Sequence, residues 1–152
     1  MKRMIVSVLC LMWIGFIFFN SSQNGAISHS VSTKFSKELF QNFIYHFNLN
    51  ISDVDIIIRK CAHVFEYMIL AIIIRICLKI MEIKNKNIIL LVLILIISIA
   101  CLDETLQLFI RGRTSKILDV FIDLSGGIIG CIICSIIYRI ISRFFCKHKY
   151  SC

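Results

Sequence analysis

The sequence predicts an all-α membrane protein: a four-transmembrane-helix bundle with an interfacial amphipathic helix between helices 1 and 2. Hydrophobic residues make up 59% of the 152 residues, against about 45–50% in soluble domains. The chain has no proline and carries four long apolar segments. A soluble domain of this size could not bury so much apolar surface, whereas a bilayer can act as the solvent for it.

The first apolar segment follows Lys2 and Arg3 and covers about residues 4–19. Such a start resembles a signal peptide, but no small-residue cleavage site follows Phe19. We therefore expect an uncleaved signal-anchor that forms the first span. Apolar residues then recur at helical spacing over about residues 29–47, between serines and asparagines that can begin and end a helix. This stripe predicts an extracytoplasmic amphipathic helix, lying in the membrane interface or covering the end of the bundle.

Three further apolar segments predict spans at about residues 56–80, 88–110 and 117–141. Asp53 can cap the first of these three helices. In the last, Gly126 and Gly130 form a spacing that permits close approach of helices. Since no internal repeat is found, we interpret residues 1–152 as one domain. Several of the eight cysteines fall inside the spans, where Cys behaves as a small hydrophobe: Cys10, Cys77, Cys101, Cys131 and Cys134.

The net charge of +8 indicates membrane orientation and not binding to nucleic acid, because the basic residues lie mostly between apolar segments. Cytoplasmic loops carry the excess of Lys and Arg. With both termini in the cytoplasm, the outside basic residues also have most of the acidic neighbours. The pattern therefore predicts a multi-pass cell-membrane protein with cytoplasmic termini. The basic residues inside are Lys2, Arg3, Lys79, Lys84, Lys86, Arg139, Arg143, Lys147 and Lys149; those outside are Lys34, Lys37, Arg59, Lys60, Arg111, Arg113 and Lys116.

Polar residues concentrate at one end of all four predicted spans. A charge at the centre of a membrane helix costs about 2.5–3.5 kcal/mol, so it needs a partner or a function. In the orientation above, this end is extracytoplasmic, and the shared asymmetry predicts a site there. Its candidate catalytic residues are His63, Glu66, Asp103 and Glu104; its candidate ligand-binding residues are Ser22, Gln23, Lys60, Tyr67, Gln107, Arg111, Arg113, Asp119 and Asp123.

Three interpretations of this cluster stay open. In the first, Arg111, Arg113 and Lys60 bind an anionic headgroup, His63 handles protons, and the carboxylates orient them. In the second, a divalent metal is bound by a subset that matches no known ligand spacing: His63, Glu66, Asp103, Glu104 and Asp119. No other cofactor is expected. In the third, the charges form an ion-pair lattice that only fixes helix register.

Three motifs in this cluster resemble the VanZ-like family of small bacterial membrane proteins. The first is Asn20-Ser21-Ser22-Gln23, and the second runs from Arg59-Lys60 through His63 to Glu66-Tyr67. The third consists of residues in the last two spans and the turn between them: Asp103, Glu104, Gln107, Gly112, Arg113, Asp119, Asp123, Gly126 and Gly127. The order and spacing of the motifs are specific, and together they cover about residues 20–130.

The sequence departs from the family pattern at two positions. Arg111 stands where the family usually has proline, and Asp123 stands where it usually has asparagine. Both departures add charge to the site. The resemblance implies a bacterial cell-membrane protein, whose namesake is linked to low-level resistance to the glycopeptide teicoplanin. It implies no defined biochemical activity.

Two functions are therefore expected as alternatives. The first is a site that binds or modifies an anionic envelope lipid or glycolipid precursor, with membrane lipids as the partners. The second is a non-catalytic structural or partner protein of the cell envelope, in which the charge cluster only holds the helices together.

Overall fold

A computed structural model describes residues 1–23, 30, 33–34, 46, 50–83, 87–110, 112–113 and 116–149. The described residues form four helices: α1 (Lys2–Ser22), α2 (Ile51–Ile80), α3 (Ile88–Gln107) and α4 (Ile117–Lys149). All four are long and apolar enough to cross a membrane, since about 20 residues at 1.5 Å each span the hydrocarbon core. The predicted four-helix membrane bundle is confirmed, and the chain is a multi-pass membrane protein.

The helix bounds differ from the sequence-based ones in ways that affect the site. α1 continues to Ser22, past residue 19, so the polar residues after the apolar run belong to the helix. α2 begins at Ile51 with Asn50 as its N-cap residue, and Asp53 lies in the first turn, where its charge favours the helix dipole. α3 ends at Gln107. The amphipathic helix predicted over residues 29–47 lies almost wholly outside the described residues.

The helices run alternately up and down. At one end, Arg3 at the start of α1 forms an ion pair of 3.2 Å with Glu82, just after α2. At the same end, the Lys79 ammonium lies 4.4 Å from the centre of the Tyr138 ring of α4. We call this end, where α1 and α3 begin, the basic end. The opposite end, where α1 and α3 finish and α2 and α4 begin, is the polar end.

The core is a narrow apolar column to which all four helices contribute. Its fully buried members include Ile17 of α1, Leu70 of α2 and Ile96 of α3, with Cys131 of α4 also buried. Large apolar side chains on the outside of the bundle are exposed, among them Leu11, Phe65, Leu90 and Ile132. This arrangement suits a hydrocarbon solvent, in which apolar side chains on the outside of the bundle carry no penalty.

Three glycines allow α4 to pack closely against α2 and α3. A Cβ atom added to Gly126 would overlap the Val64 carbonyl of α2, and one added to Gly130 would overlap the Met68 carbonyl of α2. A Cβ on Gly127 would lie 2.9 Å from Ile96 Cγ2 of α3. The predicted small-residue spacing is therefore the seam at which the backbones of α2 and α4 meet.

A second link between α2 and α4 lies nearer the basic end. Arg75 Nη1 donates to the Cys131 carbonyl at 2.7 Å and to Ser135 Oγ at 2.6 Å. A charged residue within a span needs such partners, because water does not reach it. Together with the glycine seam, this bond fixes α2 against α4 along most of their shared length.

Candidate functional site

All four helices bring polar side chains to the polar end, and the structure brings most of the predicted residues into contact. Asp103 of α3 is the hub, with no exposed surface. Its Oδ2 accepts hydrogen bonds from Ser21 Oγ at 2.7 Å and from Gln107 Nε2 at 3.2 Å. One carboxylate thereby ties α1 to α3. Its other oxygen, Oδ1, has no hydrogen-bond partner among the described residues.

Glu66 ties α1 to α2 in the same way. Its Oε1 accepts from Asn20 Nδ2 at 2.7 Å, and its backbone carbonyl accepts from Trp13 Nε1 at 3.0 Å. Its Oε2 lies 3.7 Å from His63 Nδ1, while that nitrogen lies 4.0 Å from Asp123 Oδ1. His63 therefore stands between two carboxylates on different helices, at distances longer than a hydrogen bond.

Three buried carboxylates meet below His63. One oxygen from each of Asp103, Glu104 and Asp123 lies within 4.8 Å of the others; we call these residues the carboxylate triad. Glu104 Oε2 also accepts from the Lys116 backbone N–H at 3.1 Å. Tyr67 is fully buried, and its hydroxyl lies within electrostatic range of all three carboxylates. The triad thus contains residues of both α3 and α4, and Tyr67 contributes a side chain from α2.

Nearer the bundle end, two partly exposed basic side chains lie on α2; we call Arg59 and Lys60 the basic rim. Lys60 Nζ forms an ion pair of 3.2 Å with Asp119 Oδ1 of α4, and its side chain is 44% exposed. Arg59 Nη2 lies 3.5 Å from Asp55 Oδ2, one turn earlier on the same helix. The polar end thus has two layers, with basic groups at the surface and carboxylates beneath them.

Arg113 has a role that the sequence did not indicate. Its Nε donates to the Gln23 carbonyl at 3.1 Å, and its Nη2 donates to the Asn20 carbonyl at 3.0 Å. The last carbonyls of a helix have no partner within the helix, so this guanidinium caps the C-terminus of α1. Partial burial lowers the pKa of Arg113, yet an arginine still carries its charge at neutral pH.

The remaining predicted residues are placed less centrally. Ser22 is exposed, and its hydroxyl donates to the Phe19 carbonyl of its own helix at 2.8 Å. Gln23 contributes its backbone carbonyl to Arg113. Arg111 lies outside the described residues.

The structure brings three further residues into contact with the site: Ser21, Asn20 and Trp13. Ser21 and Asn20 stand in the first motif beside the predicted Ser22 and Gln23. In the structure Ile17 and Ser21 are one turn apart and both buried, but a helix predicted to end near residue 19 gave no signal for Ser21. Trp13, the single tryptophan, carried no signal either. Its contact is with a backbone carbonyl, which sequence patterns do not specify.

Among the described residues, the carboxylates that lie close enough to share a metal ion are those of the triad, of which Asp103 and Glu104 belong to the set predicted from the sequence. That set held His63, Glu66 and Asp119 with Asp103 and Glu104. In the structure, Asp119 pairs with Lys60 and Glu66 with Asn20, while Asp123 takes their place beside Asp103 and Glu104. Carboxylate oxygens favour hard divalent ions such as Mg²⁺, Ca²⁺ or Mn²⁺.

No curated protein and no solved structure matches the chain. The model of the VanZ/LLP1 family matches residues 5–138, most of the 152 residues, and this range holds the hub Asp103, the triad and the basic rim. The match confirms the resemblance drawn from the three motifs. The chain therefore belongs to the VanZ/LLP1 family.

Proposed function

We propose that the polar end binds the headgroup of an anionic envelope lipid or glycolipid precursor through the basic rim. The observation that carries this proposal is the position of the rim. Its basic side chains are partly exposed towards the polar end of apolar helices, and lipid headgroups lie at the ends of helices that cross a bilayer. A headgroup could therefore reach them while its chains stay in the bilayer.

The partners of the rim are of the kind that a ligand can displace. The Lys60–Asp119 pair is partly exposed, with Lys60 at 44% and Asp119 at 28%, and exposed ion pairs contribute only about 0–1 kcal/mol. A phosphate offers more oxygens than one carboxylate, so exchange of partners costs little. On the same helix, Ile57 and Phe65 are 59% and 57% exposed and provide an apolar surface for the acyl or prenyl chain.

In this proposal the buried layer holds the rim in place. Glu66 and Asp123 lie on either side of His63, so they fix its ring at the boundary between the two layers. His63, with Glu66, is then the group that would handle a proton of a bound phosphate. Arg113 acts indirectly, since it is held by the carbonyls of α1.

Lipid binding can be measured by native mass spectrometry of the full chain with phosphatidylglycerol, and with phosphatidylcholine as the neutral comparison. We expect Lys60→Gln to weaken phosphatidylglycerol binding about fivefold, because one basic side chain near an anionic surface contributes about 1 kcal/mol. Lys79→Gln is the matched control, since Lys79 is exposed at the basic end. Equal losses in the two variants, or equal binding of both lipids, would contradict the proposal.

We also infer that the polar end faces away from the cytoplasm, from the distribution of Lys and Arg. A green fluorescent protein fused after Cys152 should then fluoresce in a bacterial host. Alkaline phosphatase fused there should be inactive, whereas the same enzyme inserted between residues 23 and 50 should be active. The reverse pattern would place the polar end, and with it the proposed ligand, on the cytoplasmic side.

A second candidate function is a structural or partner protein of the envelope, with no ligand of its own. The number of ties to α1 favours it: Ser21–Asp103, Asn20–Glu66 and the Arg113 cap all hold α1 in place. Under this function, Lys60→Gln leaves lipid binding unchanged, and the protein co-purifies with an envelope complex. The lipid measurement above therefore separates the two candidates.

A further inference from the structure

Two members of the carboxylate triad, Asp103 and Asp123, have little compensating charge for their burial. Three carboxylate groups within 4.8 Å of one another repel strongly where water is scarce. In the described part of the chain, Asp103 receives hydrogen bonds from the neutral groups of Ser21 and Gln107, and the Arg113 guanidinium acts on it only at longer range. Among the described residues, neither Asp103 nor Asp123 has a Lys or Arg nitrogen within ion-pair distance, and the His63 ring is 4.0 Å from Asp123.

A second observation points to a ligand at the same place. Tyr67 has no exposed surface, and its hydroxyl has no hydrogen-bond partner among the described residues. That hydroxyl lies within electrostatic range of the triad carboxylates and of Glu66, and Asp123 acts on it most strongly. Asp103 Oδ1, equally buried, is also without a hydrogen bond there. A buried polar atom that lacks a partner costs about 1–3 kcal/mol, so two such atoms beside one cluster indicate that something occupies the space between them.

The geometry points to a site for a hard divalent cation, held by one oxygen each of Asp103, Glu104 and Asp123. Asp103 Oδ1 is the ligand from the hub, and the Tyr67 hydroxyl binds a carboxylate or a water of the ion. Oxygens of one coordination shell lie at most about 4.2 Å apart around Mg²⁺ and about 5 Å apart around Ca²⁺. Because the triad oxygens lie within 4.8 Å, Ca²⁺ fits with less movement than Mg²⁺.

The cation site lies beneath the basic rim and does not rest on the lipid proposal. The ion would supply a positive charge directly beside Asp103 and Asp123 and would join α3 to α4. The competing explanation is that protons, shared among the three carboxyl groups, neutralise them instead. The two explanations differ in one measurable property, which is the binding of divalent ions.

Mn²⁺ is a suitable probe, because its paramagnetic resonance signal is lost when the ion is bound. The full chain, purified in neutral detergent without anionic lipid, is expected to bind one Mn²⁺ that Ca²⁺ displaces more readily than Mg²⁺ does. Asp103→Asn and Asp123→Asn should each weaken Mn²⁺ binding at least about 100-fold, since loss of even an outer partner of a metal site costs roughly 10–100-fold.

The control is Asp53→Asn, which removes the same charge from an exposed position on α2. If Asp103→Asn fails to fold, Asp123→Asn still tests the site. It introduces the residue that the family usually has at this position, so this variant is expected to fold. Failure of the wild type to bind Mn²⁺ at millimolar concentration overturns the site. Equal loss of binding in the Asp53 and Asp123 variants overturns it as well. Neither result bears on lipid binding by Lys60, so the two proposals fail separately.

Discussion

Arg113→Ala is expected to lower the free energy of unfolding by about 3 kcal/mol. The substitution removes the Arg113 donor from the Gln23 carbonyl and one of the two donors from the Asn20 carbonyl, which still accepts from the Gln23 N–H; an acceptor left without a donor costs about 1–3 kcal/mol. It also removes a positive charge near the carboxylates of Asp103 and Glu66. The measurement is reversible unfolding of the purified protein in detergent, followed by the fluorescence of Trp13, which lies in α1.

Two further variants show which property of Arg113 stabilises the protein. Arg143→Ala removes an exposed guanidinium from α4 near the basic end and should change stability by no more than about 0.5 kcal/mol. Arg113→Lys keeps the charge, but a single ammonium lacks the fixed fork of the guanidinium. We expect it to recover about half of the loss. If Arg113→Ala and Arg143→Ala have the same free energy of unfolding, the cap of α1 does not stabilise the bundle.

The lysine variant separates the charge of Arg113 from the shape of its guanidinium. A lattice that needs only a charge near the carboxylates would tolerate Arg113→Lys with normal stability. Two different nitrogens of Arg113 reach two different carbonyls of α1, so we expect the shape to matter under both candidate functions. Stability close to that of the wild type in Arg113→Lys would show that charge alone is needed there.

The four spans could be predicted because each rests on composition over about 20 residues, and an error of a few residues at an end changes little. The predicted contacts of the site depend much more strongly on where each helix ends. Successive residues of a helix point about 100° apart. Ser21 therefore faces Asp103, whereas its neighbour Ser22 faces the exposed surface. Ending α1 near residue 19 left no basis for choosing between them.

The convergence of polar groups at one end followed from the alternation of helix directions, and the structure shows the contacts that result. Their pairing could not be predicted, because it depends on how each helix is rotated about its axis. Asp123 faces Asp103 and Glu104, while Asp119, one turn earlier, faces Lys60. The sequence indicated that both lie on one face of α4, yet it did not show which partners each would meet on α2 and α3.

The double substitution Gly126→Ala/Gly130→Ala is expected to have the largest effect on stability, a loss of about 4 kcal/mol. Each added methyl group meets a backbone carbonyl of α2, at Val64 and at Met68, and a backbone atom cannot move aside as a side chain can. Overpacking of this kind costs about 1–3 kcal/mol per site. The two sites share one seam, so their effects need not add in full.

Gly15→Ala is the matched control, because a Cβ at Gly15 has nothing within 4 Å. It should leave stability unchanged or raise it slightly, since alanine favours a helix over glycine by about 1 kcal/mol. The seam also determines how closely α4 brings Asp123 to His63 and Tyr67 of α2. The double variant should therefore lose Mn²⁺ binding under conditions in which the helices still form. Stability and Mn²⁺ binding equal to those of Gly15→Ala would show that α2 and α4 do not meet at these glycines.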